Sequence, residues 1–132
     1  MPEFMQKIFL IIGTILAGLA VVLGAFGAHG LQRVVSPERV AVYQTGVQYQ
    51  MYHALALVAV GILSERFASN LISYAGVFFV AGVIFFSGSL YLIVSLYAMN
   101  KTVPKAVGIL TPIGGVFFIV GWICLLIGLL KK

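Results

Sequence analysis

Apolar residues run through the chain in four blocks, residues 8–28, 40–63, 71–99 and 106–130, none of which contains an Asp, Glu, Lys or Arg. Each block is long enough to cross a hydrocarbon layer about 30 Å thick, which takes roughly 20 residues of helix at about 1.5 Å per residue. Within the blocks the apolar residues do not alternate with polar ones at period two, as the strands of a membrane barrel must. The pattern predicts an all-α integral membrane four-helix bundle, up-down-up-down, with both termini on the same side. All of residues 1–132 then form a single transmembrane domain.

The gaps between blocks carry the turn signals. Ser36-Pro37 in the first connection suits a helix start, because serine caps orphan amides and proline tolerates the first helical position. Residues 64–70 turn the chain into the third helix, and residues 100–105, with Pro104, turn it into the fourth. The first block lacks the polar exit and small-residue cleavage site of a removable signal peptide and reads as a retained span. Met1-Pro2-Glu3-Phe4, ahead of a second methionine at Met5, is expected to be a cloning remnant.

Lipid supplies no hydrophobic force between helices, so association depends on small residues that let backbones approach. Helix one offers a stripe of Gly13, Ala17, Ala20, Gly24 and Gly27 at alternating spacings of four and three. Helix three repeats the device with Ala75, Gly82 and Ser89, and helix four with Gly114, Gly121 and Gly128. These are expected packing seams. The matching spacing of Gly18/Gly24 and Gly82/Gly88 hints at duplicated helical hairpins.

Composition agrees: 62% of residues are hydrophobic and 8% charged, against about 25% charged in soluble domains, so no soluble domain is left over. The net charge of +5 comes from Lys and Arg scattered at span ends, which suits headgroup contact; no basic aromatic stripe exists for nucleic acid, and none is expected as a partner. Orientation does not follow from charge. Lys7, Arg66, Lys131 and Lys132 on one side balance Arg33, Arg39, Lys101 and Lys105 on the other, four against four. Cys124 is the only cysteine, so there is neither an internal disulfide nor a paired-cysteine redox centre.

Helix two is the anomaly, with Gln44, Thr45, Gln48, Tyr49, Gln50, Tyr52 and His53 in and around its first half. Polar groups in hydrocarbon face a bundle interior or a wet cavity. At about 100° per residue Gln44, Gln48 and Tyr52 share one face, Gly46, Tyr49 and His53 another, and Gln50 points to a third. Ser87, Ser89 and Tyr91 in helix three, Thr111 in helix four and His29 at the rim fall in the same half of the bundle, the half facing the first and third connections. Pro112 cannot donate an amide to the Gly108 carbonyl, which predicts a kink at Pro112, Gly114 and Gly115. Two accounts stay open: interfacial polarity with interhelical hydrogen bonds, or a pocket.

His53 is the one group near the midplane that titrates around neutral pH. His29 lies about 15–20 Å shallower, too far for the two to grip one metal or haem, so neither metal nor cofactor is expected. A proton-coupled exchanger needs an immersed carboxylate and a disulfide enzyme needs paired cysteines; both are absent. A catalytic role is not expected either, although a weaker alternative is a lipid- or quinone-modifying enzyme with His53 as acid or base. The first expectation is a non-enzymatic module that binds or passes a small polar ligand, ion or lipid headgroup at this cluster. The second is a structural partner, self-associating or part of a larger membrane complex through its glycine seams.

Four runs occur in order: Gly24-Ala25-Phe26-Gly27-Ala28-His29-Gly30-Leu31, Tyr49-Gln50-Met51-Tyr52-His53-Ala54-Leu55-Ala56-Leu57, Phe86-Ser87-Gly88-Ser89-Leu90-Tyr91 and Thr111-Pro112-Ile113-Gly114-Gly115. With them the chain after Met5 resembles the YgdD/YwdK-like family of small inner-membrane proteins, which has eukaryotic relatives. The resemblance implies a multi-pass protein of the cell (inner) membrane with unknown molecular function.

Overall fold

A computed structural model describes residues 3–131; Met1 and Pro2, half of the suspected remnant, and Lys132 lie outside the described residues. The first span is α1 (Glu3–His29), followed by a single 3₁₀ turn, Leu31–Arg33; the second is α2 (Pro37–Leu63). The third span is α3 (Asn70–Gly82), a π-helical turn Val83–Ser87 and α4 (Gly88–Ala98); the fourth is α5 (Lys105–Leu130). All four are long and apolar enough to cross a membrane.

The connections follow local chemistry, with one exception. Pro37 opens α2 as expected, but the Ser36 side chain accepts no capping bond from the helix. Ser69 does cap, its hydroxyl accepting the Leu71 amide at 3.2 Å. Asn100 takes a left-handed φ of 57°, a conformation asparagine tolerates, and the Lys101 amide reaches back to the Leu96 carbonyl at 2.9 Å.

The glycine stripes are the seams. A Cβ on Gly13 would lie 2.7 Å from the Ala54 carbonyl oxygen, one on Gly27 would lie 2.7 Å from the Tyr43 ring, and Gly24 sits against Val47. Ala20 is buried and Ala17 half-buried along the same stripe. The opposite stripe of α1, Ile11, Ile15, Leu19, Val22 and Phe26, is exposed. Large side chains thus face outward and small ones inward, the arrangement that favours backbone approach in lipid. The third and fourth spans mesh likewise, Phe118 over Gly82, Phe79 over Gly121 and Ile72 over Gly128. Contacts rise along one partner as they fall along the next, so sequential spans are antiparallel and both ends of the described chain lie at one end of the bundle. The hint of duplication finds no support, because Gly24 and Gly82 pack while Gly18 and Gly88 meet no other helix.

Two apolar clusters flank the middle of the bundle. One, nearer the termini, gathers Phe9, Leu57, Val60, Ile72, Phe79 and Leu125; the other, toward the first and third connections, gathers Ala20, Leu31, Tyr43, Val47 and Val94. Buried Gln50, His53, Ser87 and Ser89 lie between them.

The third and fourth spans approach most closely at the π turn. The Gly88 amide bonds to the Val83 carbonyl, five residues back, and the widened turn brings the Phe86 backbone against Gly114, where a Cβ would clash with the Phe86 amide. This π-helical irregularity belongs to the third span, and Pro112 stands inside the continuous helix α5. Gly114 touches rigid backbone, so Gly114→Ala is expected to destabilise the bundle by about 1–3 kcal/mol, the cost of overpacking. Gly18→Ala, with nothing near its Cβ, is expected to be neutral or stabilising by up to about 1 kcal/mol from helix propensity. Thermal unfolding in detergent followed by size-exclusion recovery checks both.

Candidate functional site

The buried polar groups are joined into bridges between spans. Gln50, at the midpoint of α2, donates from Nε2 to the Leu16 carbonyl of α1 at 2.8 Å and accepts at Oε1 from the Tyr91 hydroxyl of α4 at 2.7 Å. Ser87 is wholly buried and donates to the Gly46 carbonyl of α2 at 2.6 Å. Ser89 shares a 2.5 Å hydrogen bond with Thr111 of α5 and also reaches the Phe86 carbonyl at 2.9 Å. Among the described residues no buried side-chain nitrogen or oxygen is left without a partner.

His53 completes the set. Its Nδ1 lies 2.8 Å from the Tyr49 carbonyl, and its Nε2 lies 3.0 Å from the Trp122 indole nitrogen. A carbonyl only accepts and an indole N–H only donates, so Nδ1 carries the proton and Nε2 is bare. An imidazolium would set a second N–H against the indole N–H. The ring also lies flat on Phe118, 3.6 Å between centroids and 10° between planes. The geometry specifies a neutral, fully engaged histidine.

Beside it a cleft of about 450 Å³ opens between the second, third and fourth spans. Tyr49, Phe86, Phe118 and Trp122 wall it, His53 lies against its floor, and Pro112 and Gly115 form the near edge of α5. Tyr49 and Trp122 are 38% and 46% exposed, so their rings line an open cleft rather than a sealed cavity. The Tyr49 hydroxyl makes no hydrogen bond to another described residue. A Cβ on Gly115 would find its nearest neighbour, Phe86 Cδ2, 4.0 Å away, so this glycine leaves space.

The structure brings His53, Ser87, Ser89, Tyr91 and Thr111 into one interior layer, with Tyr49 at its cleft side. It does not bring in Gln48, Tyr52 or His29, which are exposed, and Gln44 lies against Gly27 nearer the rim. The layer runs from mid-span, where Gln50 is central in α2, toward the third connection, where Ser87, Ser89, Tyr91 and Thr111 stand. Two participants lie outside the cluster expected from sequence: Gln50, which helical phase set on a separate face, and Trp122, for which no role was expected. A usable signal for Trp122 existed: the chain's only tryptophan stands deep in a span, away from the interfacial belt where tryptophan concentrates, and a shielded indole N–H needs an acceptor.

Residues 23–115 match the family model described as protein of unknown function, DUF423. The chain belongs to the DUF423 family. It is 47% identical over 131 residues to a UPF0382 membrane protein of Staphylococcus aureus (strain bovine RF122 / ET3-1), covering 96% of this chain and 98% of that protein. A UPF0382 membrane protein of Staphylococcus saprophyticus is 44% identical over 131 residues, covering 96% and 99%. No solved structure matches the chain. The DUF423 segment spans all four sequence runs and both partners of every polar bridge except two, since the Leu16 carbonyl precedes it and the Trp122 indole lies beyond it.

Two measurements follow from the bridges. A double-mutant cycle with Gln50→Leu and Tyr91→Phe is expected to return a coupling of about 0.6 kcal/mol, up to about 1.7, the range for hydrogen bonds between membrane helices. The ring ¹⁵N shifts of His53 are expected to report the Nδ1–H tautomer in the native chain, and Trp122→Phe is expected to shift the Nε2 resonance by removing its donor.

Proposed function

We propose that this DUF423 protein is a non-enzymatic module of the cell inner membrane, of the YgdD/YwdK-like kind, that holds part of a lipophilic molecule in the cleft beside His53. The observation that carries this reading is the cleft itself: about 450 Å³, aromatic-walled, edged by Gly115 and Pro112. Ligand sites of a few hundred cubic ångströms are mostly apolar, with few polar groups to orient the guest. Here the Tyr49 hydroxyl, without an internal partner, is the orienting group. An acyl or isoprenoid chain with one polar atom near Tyr49 suits these walls better than an ion, because the buried hydroxyls and amides are already paired with one another and with backbone.

The non-enzymatic reading is supported by His53, whose two nitrogens are both engaged, leaving no free base at the cleft floor. The assembly reading draws no support from the glycine seams, since Gly13, Gly82 and Gly121 are covered by this chain's own helices. A self-associated or larger complex would have to meet the outward faces instead.

Gly115→Leu tests the cleft with little disturbance of the fold, because the new side chain enters open space. Organic extraction of the purified protein followed by mass spectrometry is expected to recover a lipophilic species from the native chain. Gly115→Leu is expected to lose it while keeping the native melting temperature. Equal recovery from both proteins would overturn the reading.

A further inference from the structure

A second concavity, of about 610 Å³, lies where the first and third connections meet, walled by residues that include Ser36, Arg39, Tyr97, Asn100 and Lys101. Two cations face it from different connections. Arg39 rises from the first turn of α2, half-buried, with its guanidinium carbon 3.3 Å from the centre of the Tyr97 ring. Lys101 follows the left-handed Asn100, and the bond from its amide to the Leu96 carbonyl fixes where it leaves α4. Among the described residues neither cation is in an ion pair. Glu38 lies next to Arg39 in sequence and attracts it, but its carboxylate accepts bonds from its own amide and from the Ser36 hydroxyl and is not among the lining groups.

Stacking on Tyr97 holds the guanidinium plane while leaving its N–H edge free, and a pre-placed guanidinium fork matches two oxygens of a tetrahedral anion. A lysine beside it adds a mobile point charge. Both stand at span ends, the level at which lipid phosphates lie. From this juxtaposition we propose that the concavity between Arg39, Tyr97 and Lys101 binds a phosphate group, carried by an anionic phospholipid or free in solution. The site is independent of the cleft beside His53, which lies among other helix faces.

The test uses the full chain in nanodiscs of phosphatidylcholine with phosphatidylglycerol, counting retained phosphatidylglycerol by native mass spectrometry. The native chain is expected to retain it, and Arg39→Gln and Lys101→Gln are each expected to reduce retention roughly tenfold, the size of one lost charge-assisted hydrogen bond. Arg33→Gln, at the same end but outside the concavity, is expected to retain it. Titration of inorganic phosphate into the chain in phosphatidylcholine alone separates the sources: binding that is lost in Lys101→Gln identifies a soluble ligand, and its absence alongside retained phosphatidylglycerol identifies the lipid. Equal losses in Arg33→Gln and Arg39→Gln, or no binding of either probe, would overturn the proposal. If Arg39→Gln does not fold, the exposed Lys101 carries the comparison with Arg33 alone.

Discussion

Inside hydrocarbon there is no water to complete a hydrogen bond, so a polar atom buried within the bundle must find its partner in the protein itself. This constraint organises the bundle. Gln50 faces the Leu16 carbonyl and the Tyr91 hydroxyl, Ser87 faces the Gly46 carbonyl, Ser89 faces Thr111, and His53 faces Trp122. Every one of these bonds joins two spans. Packing between lipid-facing helices tolerates sliding and rotation, whereas a donor and acceptor about 3 Å apart tolerate little of either. The polar layer therefore sets register, and the apolar clusters on its two sides fill in around it.

The layer needs close backbones, and glycine provides them where it matters most. At Gly114 the neighbour is the main chain of the π turn, which no rotamer change can move aside. The extra residue in that turn also re-aims the end of the third span, so that Ser87 meets α2, Ser89 meets α5 and Tyr91 reaches Gln50. A regular helix through Val83–Ser87 would rotate everything after it out of these contacts. The same crowding leaves Gly115, one residue along, beside the empty volume of the aromatic cleft.

The four spans, the turn positions and the small-residue seams were legible in the sequence because each is written locally, in an uninterrupted apolar run or a fixed spacing. Glycine stripes such as Gly13 to Gly27 fall where expected for the same reason. The candidate site was legible as a set of residue types and only partly as a place. Gln48 and Tyr52 were grouped with Gln44 by helical phase, yet only Gln44 reaches the α1 seam, at Gly27, and the other two side chains remain exposed. Gln50, set apart by phase, lies where two neighbouring spans converge. The π turn left no local mark, and a fixed rotation per residue has no means of showing it. Trp122 was hidden differently, since its role depends on which imidazole nitrogen is bare.

The position of Gln50 also bears on how the protein is made. It belongs to the second span, but its acceptor partner, the Leu16 carbonyl, lies in the first and its donor partner, the Tyr91 hydroxyl, in the third. When the first two segments have left the ribosome, the carboxamide N–H can already bond to the Leu16 carbonyl, while its oxygen waits in oil for a tyrosine still to be translated. Insertion of the leading hairpin is thus an incomplete step, and arrival of the next segment closes it, which gives biogenesis a direction written into one amide.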